Sequence, residues 1–514
     1  MKVIAFINDR VAKRVFSVNR LGTDSRSVDM RQRPNILILC TDQQRTDTLG
    51  CYGNPIVSTP NIDGLAEQGV LFENAFVQSP VCSPSRGSFL TGRYPRTTGL
   101  RQNGQIMPPT EKPISRLLAD AGYVAGLVGK FHLAPGAPEI ATDTEPRIDD
   151  GFCEFNWAQA PSDLWGMNSD YTRFLSDRGL EYRTTPHEWS PWVQNGMPEN
   201  STEAAWCATR ATAFISKHAS RDAPWFFMAN IFAPHHPFDP PPSFLAPYLD
   251  RLEDIPMPDA MDDDLSRKPV YQQTDSEGAY GQVKGFIGGF GRHQMSTLDH
   301  KMVKAAYWAM CEHVDRQVGR ILDALNETGQ AENTLVVFMS DHGEMMGDHN
   351  IYLKGPYFYD PLIRVPLIVR FPGKFVPGRF GGLFELVHLA PTLLEATGQQ
   401  PHPGMQGRSV HDWLRDRDVP FEGDQSIYCE YYNAMPYHVG PAAQLTMLRT
   451  ETHKIVVDHA HDDGELYDLV SDPLEMNNLW LDPDALPQKA ELLTQLTHRM
   501  AFTSDPLPPR LSEW

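Results

Sequence analysis

The sequence lacks two features that would each fix a class of protein. No apolar run approaches the length of a membrane-spanning helix, although 41% of the 514 residues are hydrophobic. Positive charge is scarce, with 45 Lys and Arg against 65 Asp and Glu and a formal net charge of −20. This balance excludes nucleic acid or an acidic membrane surface as the main partner. We therefore expect a soluble globular chain in which any anion site is a local basic pocket.

Paired cysteines are also missing. The chain has an odd number of scattered cysteines, without the spacings of a disulfide framework or a zinc site: Cys40, Cys51, Cys82, Cys153, Cys207, Cys311 and Cys429. Such usage is typical of a reducing compartment, so a cytoplasmic location is predicted. Residues 1–33 are basic, but charges interrupt every apolar run, so no signal-peptide core is present. We interpret them as a disordered or non-native tail, with Met30 as an alternative start.

Strand and helix patterns alternate along most of the chain. Short apolar runs occur at NILILC, YVAGLVG, WFFMANIF and TLVVFMS, and the longest helical pattern covers roughly residues 301–326. This alternation predicts an α/β fold, a mostly parallel sheet sandwiched by helices. Residues 150–200 and 258–298 are predicted to be inserted loops. The predicted units are the tail, a main α/β domain over 34–420 and a smaller antiparallel-sheet subdomain with a closing helix over 421–514.

Polar side chains follow four of these strands. They are Asp42, Lys130 with His132, His235 with His236, and Asp341 with His342. Because ligands bind beyond the carboxyl ends of parallel strands, we expect these side chains to converge on one site. Asp42 with Gln43, and Asp341 with His342, offer oxygen and imidazole ligands to a divalent cation. Either Asp alone would be interpreted as the cap of the following turn.

The peptide CSPSR, from Cys82 to Arg86, is the second unusual feature. Ser83 is a predicted helix cap and Pro84 suits the first turn, which places Cys82 at a helix N-terminus. Backbone N–H groups there favour an anion, and Arg86 adds a fixed positive fork. These features weigh against the alternative of a buried structural cysteine.

This peptide, followed by LTGR, resembles the signature of type I sulfatases, the formylglycine-dependent family within the alkaline phosphatase superfamily. PNILILCTDQQR, GYVAGLVGKFHL and SDHGEMMGDHN resemble further blocks of that family in the same order, so the resemblance covers about residues 34–480. It implies an alkaline phosphatase-like fold and an arylsulfatase-like hydrolase. Such an enzyme cleaves a small-molecule sulfate monoester to an alcohol or phenol and sulfate. Cys82 would be converted to formylglycine (3-oxoalanine) by a formylglycine-generating enzyme.

The resemblance also implies a metal site and a sulfate site. One divalent ion, Ca²⁺ as first choice with Mn²⁺ or Mg²⁺ as alternatives, would be held by Asp42, Gln43, Asp341, His342 and the modified Cys82. Arg86 would orient the formylglycine. Lys130 and Lys354 would bind the sulfate oxygens, where negative charge builds up during the reaction.

Two proton transfers follow from the same resemblance. His235 would protonate the departing oxygen, with His236 as the alternative acid. His132 would take a proton from the remaining hydroxyl of the nucleophile, so that the sulfated hemiacetal collapses and expels sulfate. A sulfate ester of an unmodified serine could not expel sulfate in this way, which explains why the family needs an aldehyde.

Departures from the family pattern keep other functions open. Gln43 replaces a charged ligand, and the Asp-Gln with Asp-His set is similar to that of phosphonate monoester hydrolases. Phosphonate monoester or phosphodiester hydrolysis is therefore the second hypothesis, although GKFH favours sulfate. The third is a non-catalytic anion-binding protein in which Cys82 stays a thiol. The choice between aryl, alkyl and carbohydrate sulfates and the presence of a homo-oligomer stay open. The candidate walls of the substrate pocket are Trp157, Trp165, Trp189, Trp192 and the GFIGGFG segment, with core packing as the alternative for any single Trp.

Overall fold

The computed structural model describes residues 33–137, 139–140, 143–161, 168–278, 290–291, 294–435 and 442–508. The predicted tail up to residue 32, Met30, Trp165 and most of GFIGGFG lie outside these ranges. Its strands are β1 (Asn35–Asp42), β2 (Val70–Phe76), β3 (Val124–Gly129), β4 (Glu154–Trp157), β5 (Thr185–His187), β6 (Ser190–Asn195), β7 (Trp225–Pro234), β8 (Thr334–Ser340), β9 (Arg364–Val365), β10 (Leu367–Arg370), β11 (Gly378–Glu385), β12 (Ile427–Tyr432), β13 (Gln444–Arg449), β14 (His453–Asp458) and β15 (Asp463–Asp468).

The α-helices alternate with these strands in the first four hundred residues. They are α1 (Pro60–Glu67), α2 (Cys82–Thr91), α3 (Pro95–Thr98), α4 (Ile114–Asp120), α5 (Asp170–Ser176), α6 (Glu203–His218), α7 (Pro242–Leu249), α8 (Val270–Ser276), α9 (Thr297–Glu327), α10 (Asp360–Ile363), α11 (Leu389–Ala396), α12 (His411–Arg415) and α13 (Leu486–Phe502). Among the described residues, no helix combines the length and the apolar character needed to cross a bilayer.

The main sheet has the strand order β11-β2-β10-β8-β1-β7-β3-β4, with β9 paired to β2. β1 lies at its centre and pairs in parallel with β7 and β8. All eight residues of β1 are buried, as expected for a parallel strand covered on both faces. Ile36 and Ile38 pack into one helical layer, whereas Leu37 and Leu39 pack into the other. The predicted α/β fold with a mostly parallel sheet is confirmed.

Two local predictions need refinement. The long helix α9 begins at Thr297, before the predicted start, because Ser296 and Asp299 form a capping box. The prediction of an inserted loop over residues 150–200 is wrong. This region contains β4, which pairs in parallel with β3 at the edge of the main sheet. Trp157, predicted as a candidate pocket wall, is instead fully buried in the hydrophobic core. It is the only buried residue of β4, so the strand has no continuous apolar run to mark it.

The C-terminal part forms a second, antiparallel sheet of β12, β13, β14 and β15. Helix α13 packs against it through Leu492 and Leu496, which join Leu448, Ile455 and Leu466 in one apolar cluster. The predicted antiparallel subdomain with a closing helix is therefore present. The predicted domain boundaries at residues 34 and 421 stay predictions.

Candidate active site

The carboxyl edge of the main sheet carries the polar residues that the sequence predicted there. Asp42 is the last residue of β1, Lys130 follows β3, and Asp341 follows the neighbouring β8. Because these strands are parallel, their carboxyl ends meet at one edge. Gln43 and His132 have positive φ angles of 68° and 61°, so the chain turns sharply just beyond each strand. The side chains of these strand ends are buried below the protein surface.

Cys82 is the first residue of α2 and is only 1% exposed. The predicted cap at Ser83 is wrong, because the helix starts at Cys82, two residues earlier than such a cap implies, and Ser83 Oγ has no hydrogen-bond partner among the described residues. The Ser83 N–H instead donates to Asn103 Oδ1 at 3.0 Å. Asn103 therefore caps the first turn of α2. It could not be identified from the sequence, since it lies twenty residues from the Ser83 amide whose hydrogen bond it accepts.

Arg86 connects the helix to three strand ends. Its Nε donates to Asp341 Oδ2 at 2.8 Å, and its Nη2 lies 3.3 Å from Asp42 Oδ2. Its Nη1 donates to the Lys130 carbonyl oxygen at 2.7 Å. The guanidinium therefore fixes Cys82 relative to β1, β3 and β8. All of these groups are buried, so breaking one pair would leave an uncompensated charge.

Three cationic or imidazole groups surround the Cys82 sulfur. Lys354 Nζ and His342 Nε2 each lie 3.1 Å from Sγ, and Lys130 Nζ lies 3.5 Å away. Burial and Asp42 oppose ionisation of the thiol, but the two ammonium groups outweigh them and hold the pKa of Cys82 well below its ordinary value. A negative oxygen in the position of this sulfur would be stabilised in the same way.

The same edge forms a candidate metal centre. Ligand atoms of Asp42, Cys82, Asp341 and His342 all lie within 4.8 Å of one another. His342 Nδ1 donates to the Gly343 carbonyl oxygen at 2.8 Å, which leaves Nε2 as the ligating nitrogen.

Lys354 shows that this donor set accepts a cation. Its ammonium lies 2.8 Å from Gln43 Oε1 and 4.0 Å from Asp42 Oδ1. Gln43 Nε2 donates to Glu344, and this hydrogen bond orients the amide oxygen of Gln43 towards the candidate metal centre. Glu344 was not singled out by sequence reasoning, although it belongs to the DHGE motif. Carboxylate, amide and imidazole donors fit a hard divalent ion, so the residues present suit a metal.

Three histidines complete the site. His235 Nδ1 donates to the His236 carbonyl oxygen at 2.6 Å, so its Nε2 is the nitrogen that can exchange a proton. Burial and the nearby Lys354 ammonium lower the pKa of His235 well below its ordinary value. His132 faces the Cys82 sulfur, and burial together with Lys130 lowers the pKa of His132 to about 4. His236 is buried in the same environment and its pKa is also lowered by burial and by Lys354.

The structure thus brings all predicted site residues to one buried centre beside Cys82. It leaves their individual roles as predictions. The two histidines of the His235-His236 pair have stacked rings with centroids 4.0 Å apart, so both stay candidates for the acid on proximity alone.

Comparison with known proteins agrees with this arrangement. Residues 34–399 match the family model described as Sulfatase, and residues 347–502 match N-sulphoglucosamine sulphohydrolase, C-terminal. An arylsulfatase of Clostridium perfringens (strain 13 / Type A) is 29% identical over 459 residues, which cover 87% of this chain and 90% of the relative.

Two solved structures share the fold. The phosphonate monoester hydrolase of Agrobacterium radiobacter has a TM-score of 0.75 at 25% identity, covering 94% of this chain and 98% of that one. A protein solved in complex with its substrate D-glucosamine-2-N,6-O-disulfate has a TM-score of 0.72 at 22% identity, covering 93% of this chain and 100% of that one.

Proposed function

Because the chain belongs to the sulfatase family and is a sulfuric ester hydrolase, we propose that Cys82, converted to formylglycine, is its nucleophile. The approach of Lys130, Lys354 and His342 to the Cys82 sulfur is the observation that carries this proposal. A hydrated aldehyde at this position offers one hydroxyl to attack sulfur and a second whose loss of a proton expels sulfate. Conversion would require a formylglycine-generating enzyme as a partner.

One divalent ion, Ca²⁺ as first choice and Mn²⁺ or Mg²⁺ as alternatives, would be held by Asp42, Gln43, Asp341, His342 and residue 82. When bound, it would polarise a sulfate oxygen and favour ionisation of the nucleophile. Arg86 keeps Asp42 and Asp341 oriented for this role through its two ion pairs. Burial alone would lower the pKa of His342, but the adjacent Asp341 carboxylate raises it.

Lys130 and Lys354 would bind the sulfate oxygens from two sides of residue 82. Both ammonium groups are buried, so their attraction for developing negative charge is little screened by water. A bound anionic sulfate would also offset the charge of Lys354, which otherwise lowers the pKa of His235. His235 Nε2 can then give a proton to the departing oxygen as the sulfur–oxygen bond breaks. His132 holds the proton released from the second hydroxyl as sulfate leaves.

The test is the chemical state of residue 82. The protein would be co-expressed with a formylglycine-generating enzyme, and the peptide that contains residue 82 would be examined by mass spectrometry. We expect an aldehyde in place of the thiol and hydrolysis of an aryl sulfate that Cys82→Ala abolishes. Cys207→Ala, which changes another buried cysteine, is the matched control and should keep turnover. Wild-type turnover in Cys82→Ala would refute the proposal.

Substrate choice needs a separate comparison. Rates on an aryl sulfate and on the matching phosphonate monoester would be measured with one preparation, since the solved hydrolase at TM-score 0.75 acts on phosphonates. We expect the larger kcat/KM on the sulfate. A larger value on the phosphonate would favour the second hypothesis instead. A panel of aryl, alkyl and sugar sulfates would then identify the class of alcohol.

Location and assembly are also proposals. All seven cysteines are free thiols in the structure, which supports a reducing compartment and hence the cytoplasm. Fractionation of cells that express the full chain tests this location. A homo-oligomer is compatible with the sequence, and light scattering would decide the number of subunits. The division at residues 34 and 421 would be tested by limited proteolysis.

A further inference from the structure

Among the described residues, no hydrogen bond holds the second ring nitrogen of His132. An active-site histidine ordinarily has one ring nitrogen fixed by a carboxylate or a carbonyl group, which sets the direction of the other. Here the ring faces the Cys82 sulfur, whereas Nδ1 is buried without a hydrogen-bond partner in the described part of the chain. The direction of this ring must therefore be set by the backbone that carries it.

That backbone has an unfavourable conformation. His132 has a φ of 61°, in the left-handed region that costs a non-glycine residue about 1 kcal/mol or more. Two backbone N–H groups that donate to one side chain hold it there. The His132 N–H donates to Glu145 Oε2 at 2.8 Å, and the Leu133 N–H donates to Glu145 Oε1 at 3.2 Å. A single carboxylate thus binds both amides of the turn.

In the part of the chain that the structure describes, no ion pair explains the burial of Glu145. It is 1% exposed, and its remaining hydrogen bond comes from Trp157 Nε1 at 3.0 Å. Within the described ranges, no lysine or arginine forms a salt bridge with it, and burial raises the pKa of Glu145 to about 7. Burying a carboxylate without an ion pair costs folding free energy. The contacts of Glu145 with the two backbone amides give a reason for its position.

We propose that Glu145 is the positioning residue for His132, and that it aims the imidazole at residue 82 by binding the two amides of the turn. This inference rests on the proposed function, in which His132 accepts the proton that allows sulfate to leave. Loss of Glu145 would then slow sulfate release while the earlier departure of the alcohol continues at its normal rate.

The first readout does not depend on activity. Hydrogen exchange would be followed at the amides of residues 132 and 133 in wild type, Glu145→Ala, Glu145→Gln and Trp157→Phe. Both Glu145 variants should exchange faster at these amides. Gln keeps the shape of the side chain but must turn an NH₂ group towards one of the two N–H donors. Trp157→Phe removes only the third donor and should leave the exchange of both amides unchanged.

The second readout separates the two chemical steps. With a chromogenic aryl sulfate, kcat of the Glu145 variants should fall about 10- to 100-fold, the usual effect of removing a positioning partner. KM should fall with kcat, so kcat/KM stays near the wild-type value. Rapid mixing should reveal a burst of one equivalent of phenol, because only the later step is slowed. Trp157→Phe should show neither change.

His132→Ala distinguishes the two hypotheses. If it shows the burst but the Glu145 variants keep wild-type exchange and turnover, the inference about Glu145 is wrong and the proposed function stands. If His132→Ala itself keeps full turnover, the role given to His132 under the proposed function is wrong, and the inference falls with it. A loss of kcat in the Glu145 variants without a burst would also overturn the inference. Should Glu145→Ala fail to fold, the isosteric Glu145→Gln carries the test.

Discussion

Substitution of Lys354 by Ala should abolish most turnover and leave the fold intact. Its ammonium lies 3.1 Å from the Cys82 sulfur, which stands in for the attacking oxygen. At an effective dielectric constant of about 20, a full charge at that distance is worth about 5 kcal/mol. If about half a charge develops in the transition state, the loss is about 2.5 kcal/mol, or roughly a 70-fold decrease in kcat.

Stability should respond differently. Lys354 is buried, and its nearest carboxylate oxygen, Asp42 Oδ1, is 4.0 Å away. The cost of burying its charge is therefore weakly repaid, and its removal should change the unfolding free energy little. Lys454 is the matched control, because it is also buried but pairs with Asp360 at 2.8 Å and Glu475 at 2.6 Å. Lys454→Met should lower the melting temperature, since buried Glu475 loses its ion pair and Asp360 keeps only its pair with Arg449 at 3.0 Å, while the folded protein keeps its kcat.

The assay is steady-state hydrolysis of an aryl sulfate, with thermal unfolding followed by circular dichroism on the same samples. Lys354→Met, which keeps the volume of the side chain, should behave like Lys354→Ala if charge is the cause. Wild-type kcat in both Lys354 variants would refute the assignment of the sulfate site. A large fall in melting temperature together with kcat would show instead that the lysine supports the fold.

Three further outcomes follow from the structure. Gly129→Ala should destabilise the protein by several kcal/mol and reduce activity, because its new Cβ would lie 1.9 Å from a carbonyl oxygen of β7. The control Gly53→Ala places its Cβ where no atom lies within 4 Å, so it should cost only about 1–2 kcal/mol for its positive φ. Equal melting temperatures of the two variants would contradict this prediction. Despite burial, His388 and a nearby arginine lower the pKa of Asp424 to about 2. The ionised Asp424 should therefore contribute about 2 kcal/mol to the free energy of unfolding above about pH 4, and this contribution should disappear as the pH falls towards 2. Unfolding curves of wild type and Asp424→Asn should accordingly differ at higher pH and converge near pH 2. Removal of metal ions by exhaustive chelation should abolish hydrolysis, and addition of Ca²⁺ should restore it. Full turnover in protein that elemental analysis shows to be free of metal would exclude the metal site.

Local patterns were sufficient to predict the sheet and most of the site. A buried parallel strand is apolar along its whole length, so NILILC and TLVVFMS mark β1 and β8, and the first polar residue after each marks the edge where ligands bind. The edge strand β4 could not be predicted in this way, since three of its four residues are only partly buried. The start of α2 was also misplaced, because its amide is capped from a distant loop.

The sequence alone identified the residues that could take part in catalysis, since strand ends, helix starts and motif spacings depend on neighbouring positions in the chain. Which residues hold that chemistry in place depended on the folded chain. Asn103, Glu145 and Glu344 act through hydrogen bonds to groups that only the packing of the sheet and its loops brings near. No periodicity marks such a residue, because a carboxylate or an amide acquires its role from the donor that the fold places opposite it.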